Sequence, residues 1–124
     1  MTAIATWAFS GTYDISVSVK KHLAGMEEAA RAGAELVVFP ETSLQGYPAV
    51  LTHGEEPTVL QASYETAEPL GGPRVAELTQ AARDLGIHII FGMTERGARP
   101  GVIFNATVLA GPDGILGVYR KVHV

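Results

Sequence analysis

Apolar residues along this chain follow two rhythms. Short runs that are apolar at nearly every position alternate with stretches in which apolar residues recur every three or four positions. The runs "AIATWAF" (3–9), "ELVVF" (35–39), "IHIIFGMT" (87–94), "VIFNATVLA" (102–110) and "ILGVYRKV" (115–122) predict five strands. Between the first two, Val19, Leu23, Met26 and Ala30 are spaced four, three and four apart, which makes one face of a helix. Lys20, Lys21, Glu27, Glu28 and Arg31 occupy much of the rest, and His22 falls on the side expected to be wet. Asp14 is placed to cap this helix and Gly33 to stop it after Ala32. Pro73 suits the first turn of a second helix, with Val75, Leu78, Ala82 and Leu85 as its inward stripe and Gly86 as its end.

Residues 40–72 contain Gly46, Pro48, Gly54, Pro57, Pro69, Gly71 and Gly72, and read as a long irregular connection with a helical turn or two near "PTVLQASYETA". Long connections in compact domains are usually functional or mobile. Gly111-Pro112-Asp113-Gly114 is a tight-turn signal, so the last two strands are expected as an antiparallel hairpin. The order β-α-β-loop-α-β-β-β predicts one α/β domain over residues 1–124, a sheet with helices on one or both faces. The strands at 35–39 and 87–91 lack polar alternation and are expected to be covered on both faces.

Composition narrows the function classes. Of 124 residues, 47% are hydrophobic and 18% charged, a globular balance. The net charge is -4 and no run of Lys or Arg exceeds two, which argues against nucleic acid or an anionic membrane as partner. No stretch approaches the ~20 apolar residues of a membrane span. "MTAIATWAFSG" lacks the basic start of a signal peptide, so a cytoplasmic protein is expected. With no cysteine, the chain holds no disulfide, no thiolate metal site and no cysteine nucleophile of its own. Histidines 22, 53, 88 and 123 show no metal-ligand spacing and none is assigned to a metal; His88 reads as a satisfied or edge residue of its strand. The glycines form neither a dinucleotide fingerprint nor a P-loop, and Ser10, Ser43 and Ser63 lack the surroundings of a hydrolase elbow.

Two places remain as candidates for chemistry. In "VVFPE" a buried strand stops at Pro40 and a carboxylate, Glu41, follows at once. Pro40 fixes its own φ and restricts Phe39, so it sets the direction in which the chain reaches Glu41. Sites tend to form at the C-terminal edge of such a sheet, where a carboxylate beside a long loop is placed to act as a base. A solvated glutamate is the alternative. In "YRKVHV", Arg120 and Val122 face one way and Lys121 and His123 the other. An inward Lys121 needs a carboxylate partner, for which Glu41 is the candidate; an edge strand protected by basic residues is the alternative.

With these elements, the chain resembles the N-terminal part of the nitrilase superfamily of carbon–nitrogen hydrolases. The resemblance runs through "EEAARAGAELVVFPE", "GYP", "GGPRVAELTQAARDLGIHIIFGMTER", "FNATVLAGPDGILGVYRK" and "VHV". It implies the N-terminal part of an α-β-β-α sandwich that pairs into dimers or larger assemblies, a small nitrile or amide as substrate, and no cofactor. It also implies a glutamate–lysine–cysteine set in which Glu41 matches the general base and Lys121 the lysine, with Tyr47 of "GYP" as a candidate substrate contact. The family's cysteine lies further along than Val124, so the C-terminal half of the fold is expected in cis or as a second chain, and this chain by itself is expected to be inactive. Trp7-Ala8-Phe9 stands where many members have a glutamine. "FPETSLQGYP" leans toward nitrile hydrolysis and "YRKVHV" toward amidases and carbamoylases. A non-catalytic, truncated binding or assembly module is the competing reading, and a plain α/β domain with a chance likeness the third.

Overall fold

The computed structural model describes residues 1–10, 12–47 and 57–123. Pro48, His53, Gly54 and Val124, which the sequence reading singles out, lie outside them. The elements are β1 (Ile4–Thr6), α1 (Ile15–Arg31), β2 (Leu36–Val38), α2 (Pro57–Thr66), α3 (Pro73–Leu85), β3 (His88–Arg96), β4 (Ile103–Gly111) and β5 (Gly114–Arg120). The connection at 40–72 thus contains a full ten-residue helix rather than a turn or two.

The strands form one sheet in the order β1-β2-β3-β4-β5. β1, β2 and β3 run parallel, while β3–β4 and β4–β5 are antiparallel. The hairpin turns on Pro112-Asp113, with Gly111 opposite Gly114 at φ 107, a backbone state that favours glycine. Asp14 caps α1 as expected, accepting from the amides of Ser16 and Val17 at 2.9 and 3.3 Å. Pro73 opens α3, and Gly86 closes it in the left-handed conformation at φ 66.

Both parallel connections, β1-α1-β2 and β2-α3-β3, advance the sheet in the same direction. Right-handed crossovers then put both helices on the same face, and α1 packs on α3 there. Alternation sends Val37, Ile89, Phe91, Met93, Ala106, Val108 and Ala110 into this helix-covered layer, where they meet Met26, Val75 and Leu78 in a continuous core.

The opposite face carries Ile4, Leu36, Val38, Ile90, Thr107 and Tyr119, and among the described residues no helix covers it. Leu36, Val38 and Ile90 are half-buried there, while Ile4 and Tyr119 are exposed. The expectation that residues 35–39 and 87–91 are covered on both faces therefore fails among the described residues. Their lack of polar alternation is real, but among the described residues only one of the two layers it calls for is present.

A second correction concerns α1. Its buried positions include Ser18, His22, Met26 and Ala29, so the inward stripe is rotated from the predicted one and Leu23 is only half-buried. His22 is fully buried, not wet. The ring is amphipathic: its carbon edges pack between Phe9, Phe39 and Phe91, while its two nitrogens find oxygen partners. His88 lies on the helix-free face of the central strand β3, exposed, with its ring against Gly111.

Candidate active site

β2 ends at Val38, but β3 runs on to Arg96. The side of β3 that β2 vacates needs other hydrogen-bond partners, and the segment from Phe39 onward supplies them. Phe39 N–H bonds the Ile90 carbonyl at 2.8 Å, and Leu44 N–H bonds the Gly92 carbonyl at 3.0 Å. The Gln45 side-chain amide then acts as a surrogate peptide: its Oε1 accepts from Thr94 N–H at 2.8 Å and its Nε2 reaches the Thr94 carbonyl at 3.4 Å. Beyond it, Glu68 continues the pairing through Thr94 and Arg96. Residues 41–45 are thereby held as a tight turn across the C-terminal end of β2.

This turn lies so close to β3 that a side chain at position 92 has no room. A Cβ on Gly92 would overlap Thr42 N and come within 2.7 to 2.8 Å of the Glu41 backbone. Thr42 itself has φ 48, in the left-handed region that a β-branched residue rarely enters, and among the described residues its buried hydroxyl has no partner. Such strain costs of order 1–3 kcal/mol and persists only where the surroundings over-determine it.

The turn delivers Glu41 to the helix-free face. Lys121 follows the last residue of β5, and its N–H bonds the Asn105 carbonyl at 2.8 Å, so Lys121 and Asn105 are cross-strand neighbours. Both side chains converge on one oxygen: Lys121 Nζ is 2.7 Å and Asn105 Nδ2 is 2.6 Å from Glu41 Oε1. Among the described residues Oε2 has no hydrogen-bond partner. The three groups line an open cleft of about 550 Å³, floored by Val38, Ile90, Gly92 and Thr107 and flanked by Tyr119 and His123. That volume lies in the range that holds small ligands. A smaller cleft of about 220 Å³ beside Pro73 is lined by Glu65, Glu68, Arg74 and Arg96, of which Glu68 and Arg74 pair with each other.

The pair is half open to solvent, with side-chain exposures of 38% for Lys121 and 42% for Glu41, so its Coulomb energy is screened and its value lies in geometry. The Lys121 hydrogen bond, then the Asn105 hydrogen bond, hold the Glu41 carboxyl below its ordinary value of 4.5, against a smaller opposing effect of burial. The Glu41 hydrogen bond pushes Lys121 above 10.5. A depressed carboxyl keeps its contribution above its unfolded value and loses it as pH falls through the folded one. A raised amine keeps its contribution below its unfolded value and loses it as pH rises through the folded one. The ion pair is therefore intact from mildly acid to mildly alkaline pH.

The structure thus brings together Glu41 and Lys121, eighty positions apart in sequence. Tyr47 is exposed and does not line the cleft; its backbone carbonyl accepts from Tyr13 Oη at 3.1 Å, and its phenol is near enough to Lys121 to influence the amine's charge. Arg120 turns to the other face, where it forms a bidentate pair with buried Glu95 at 2.7 Å for both bonds and stacks on Phe104. Asn105, Tyr119, Gly92, Ser43 and Gln45 were not singled out for the site from sequence. Strand alternation marks Asn105, since it shares a face with Thr107, but which residue lies opposite Lys121 depends on register.

Comparison with known proteins gives the family and the fold. Residues 3–124 match the family model for carbon-nitrogen hydrolases. The chain belongs to the carbon-nitrogen hydrolase family. Among relatives in the nitrilase superfamily, a nitrilase from Pyrococcus abyssi is 33% identical over 99 residues, covering 80% of this chain and 34% of that protein. A bromoxynil-specific nitrilase from Klebsiella pneumoniae subsp. ozaenae is 32% identical over 111 residues, covering 87% of this chain and 31% of that one. An amidase from Nesterenkonia sp. shares the fold with a TM-score of 0.72 at 21% identity, over 99% of this chain and 43% of that chain. The sheet and its helices are thus the N-terminal portion of an α-β-β-α sandwich, and the chain spans about a third of the length of the curated relatives it matches. Among the described residues no helix is long and apolar enough to cross a membrane.

Proposed function

We propose that this chain carries the glutamate–lysine part of a hydrolase that converts a small nitrile or amide to a carboxylate and ammonia. The observation that supports this most is the division of labour on one carboxylate. Oε1 is engaged by Lys121 and Asn105, and Oε2 is left for a proton. A carboxylate held ionised at neutral pH is ready to act as a general base at once.

In this reading a cysteine outside the chain, further along the same polypeptide or on a second chain, attacks the carbon of the nitrile or amide. Glu41 takes the thiol proton and passes it to the departing nitrogen, which leaves as ammonia. Glu41 then takes a proton from water, whose oxygen attacks the thioester carbon and releases the carboxylate and the thiol. A nitrile needs one water more, added to its thioimidate before ammonia departs. Lys121 stabilises the charge that develops on the tetrahedral intermediate and fixes the carboxylate. Asn105 is a positioning residue, and Tyr47, outside the cleft lining but near Lys121, would contact only a substrate that extends past the cleft. Val38, Ile90 and Tyr119 would be covered by the C-terminal half of the fold, closing a cleft that is open in this chain alone; homo-oligomers would form from the completed sandwich.

The test is ammonia release by the full-length protein across a panel of aliphatic and aromatic nitriles and primary amides. Saturable release from one of these classes is expected, with Lys121→Ala lowering kcat by about 10²–10³-fold, the usual cost of removing a group that stabilises the developing charge. A folded protein that releases no ammonia from any of them would refute the proposal. It would favour the second reading, a non-catalytic assembly module, for which the exposure of Ile4, Tyr119 and Val122 speaks.

A further inference from the structure

His22 reaches the Glu41 turn from the helix layer. Its ring is fully buried, with centroids 5.1 Å from Phe9, 4.5 Å from Phe39 and 6.3 Å from Phe91. Nδ1 lies 2.7 Å from the Ser18 carbonyl oxygen. A carbonyl only accepts, so Nδ1 carries the ring proton, and in the neutral ring Nε2 is left as an acceptor. Ser43 Oγ lies 2.9 Å from Nε2 and donates to it. The other oxygen within reach of that hydroxyl, the Gly92 carbonyl, is at 3.4 Å and already receives Leu44 N–H at 3.0 Å.

Ser43 sits two residues beyond Glu41, on the far side of strained Thr42. The turn is tied to β3 through Leu44 and Gln45. Those ties fix its height above the sheet end. The His22–Ser43 bond is its side-chain tie to α1, and with Thr42 in a left-handed conformation this side of the turn has the most to gain by relaxing.

We propose that His22 is a positioning residue for Glu41. Its ring, oriented by Ser18 and packed among three phenylalanines, holds the Ser43 hydroxyl and through it sets the Glu41 carboxylate against Lys121 and Asn105. The proposal rests on the reading of Glu41 as the base. In that reading a misplacement of about 1 Å is enough to cost on the order of 10²-fold in rate.

Ser43→Ala in the full-length hydrolase removes the hydroxyl and spares the aromatic packing. Its kcat is expected to fall by about 10- to 100-fold with KM within about threefold. The Glu41 carboxyl, followed by carbon NMR, should titrate at higher pH than in the parent protein because its donors are no longer in place. Ser43→Thr, which returns the hydroxyl, should restore both readouts. Parental kcat and parental Glu41 titration in a folded Ser43→Ala protein would overturn the proposal. If that variant does not fold, nitrogen NMR of His22 in the parent protein decides: a proton on Nδ1 with Nε2 accepting supports the arrangement, and a proton on Nε2 overturns it. The titration readout needs no turnover. Movement of the Glu41 carboxyl in Ser43→Ala, alongside full activity of Glu41→Gln, would leave the positioning role standing and remove the base assignment.

Discussion

Lowering the pH from 7 to 4.5 charges a histidine that the fold keeps neutral, and the consequence can be worked out. Burial holds His22 at about 4, against an ordinary value of 6.5, with a smaller opposing effect from its bond to Ser18. Between those two values the unfolded chain binds a proton that the folded chain refuses, so stability rises with pH across the window. The contribution is complete above about 6.5 and disappears as pH falls toward 4. The full gap corresponds to about 3 kcal/mol, of which roughly 2.5 is gone by pH 4.5. That is a large share of the 5–15 kcal/mol typical of a folded domain. The groups seen around the ring are the side chains of Phe9, Phe39, Phe91 and Ser43 and the Ser18 carbonyl, none of which supplies a negative charge to offset the effect. Urea titrations at the two pH values, on the parent protein and on His22→Leu, isolate the histidine because the carboxylates are common to both. The parent should lose about 2 to 3 kcal/mol more than the variant between pH 7 and 4.5. Losses equal to within about 0.5 kcal/mol would refute the claim that His22 is buried and neutral.

Other residues give sharp expectations. Gly92→Ala inserts a methyl against Thr42 N and the Glu41 backbone, and should cost about 1–3 kcal/mol in urea unfolding and reduce turnover together, since the clash falls on the turn that carries the base. Glu68 caps α3 from outside the helix, accepting from the amides of Arg74 and Val75 at 2.7 and 3.0 Å; Glu68→Ala should lower stability by about 1–2 kcal/mol with KM unchanged. Lys121→Met removes the main cause of the depressed Glu41 carboxyl, which should then titrate closer to 4.5 by carbon NMR; an unmoved carboxyl would mean that the two groups do not meet in solution.

The local signals of the chain were strong where one residue suffices to punctuate it. Asp14, Gly33, Pro73, Gly86 and the Gly111–Gly114 turn bound their elements almost where expected, because capping and left-handed backbone states are decided by the residue itself. Glu41 and Lys121 were legible as a pair because a proline-directed acid and an inward lysine each lack an obvious partner, and the family pattern joins them. What was not legible depends on register and layering. Asn105 belongs to the site only because it pairs with Thr94 and stands beside Lys121. Gln45 reads as a loop amide until β3 is seen to outrun β2 and leave Thr94 in need of a partner. A histidine among lysines looks polar and so reads as wet, although the position of His22, four residues after Ser18 and four before Met26, puts it on the buried stripe. The bare face of the sheet follows from two crossovers of one hand, whereas the sequence of β2 and β3 signals only that two covering layers are wanted.

The account stands on the Glu41 carboxylate moving a proton at a substrate carbon. Glu41→Gln preserves size and keeps an oxygen for Lys121 and Asn105, so the turn should remain in place. Single-turnover and steady-state ammonia release by this variant in the full-length protein is the most direct test. With the fold intact, kcat should fall by at least about 10²-fold, the lower end of what a general base contributes. Turnover within a few-fold of the parent would mean that the carboxylate is a structural partner of Lys121 and that the base lies elsewhere.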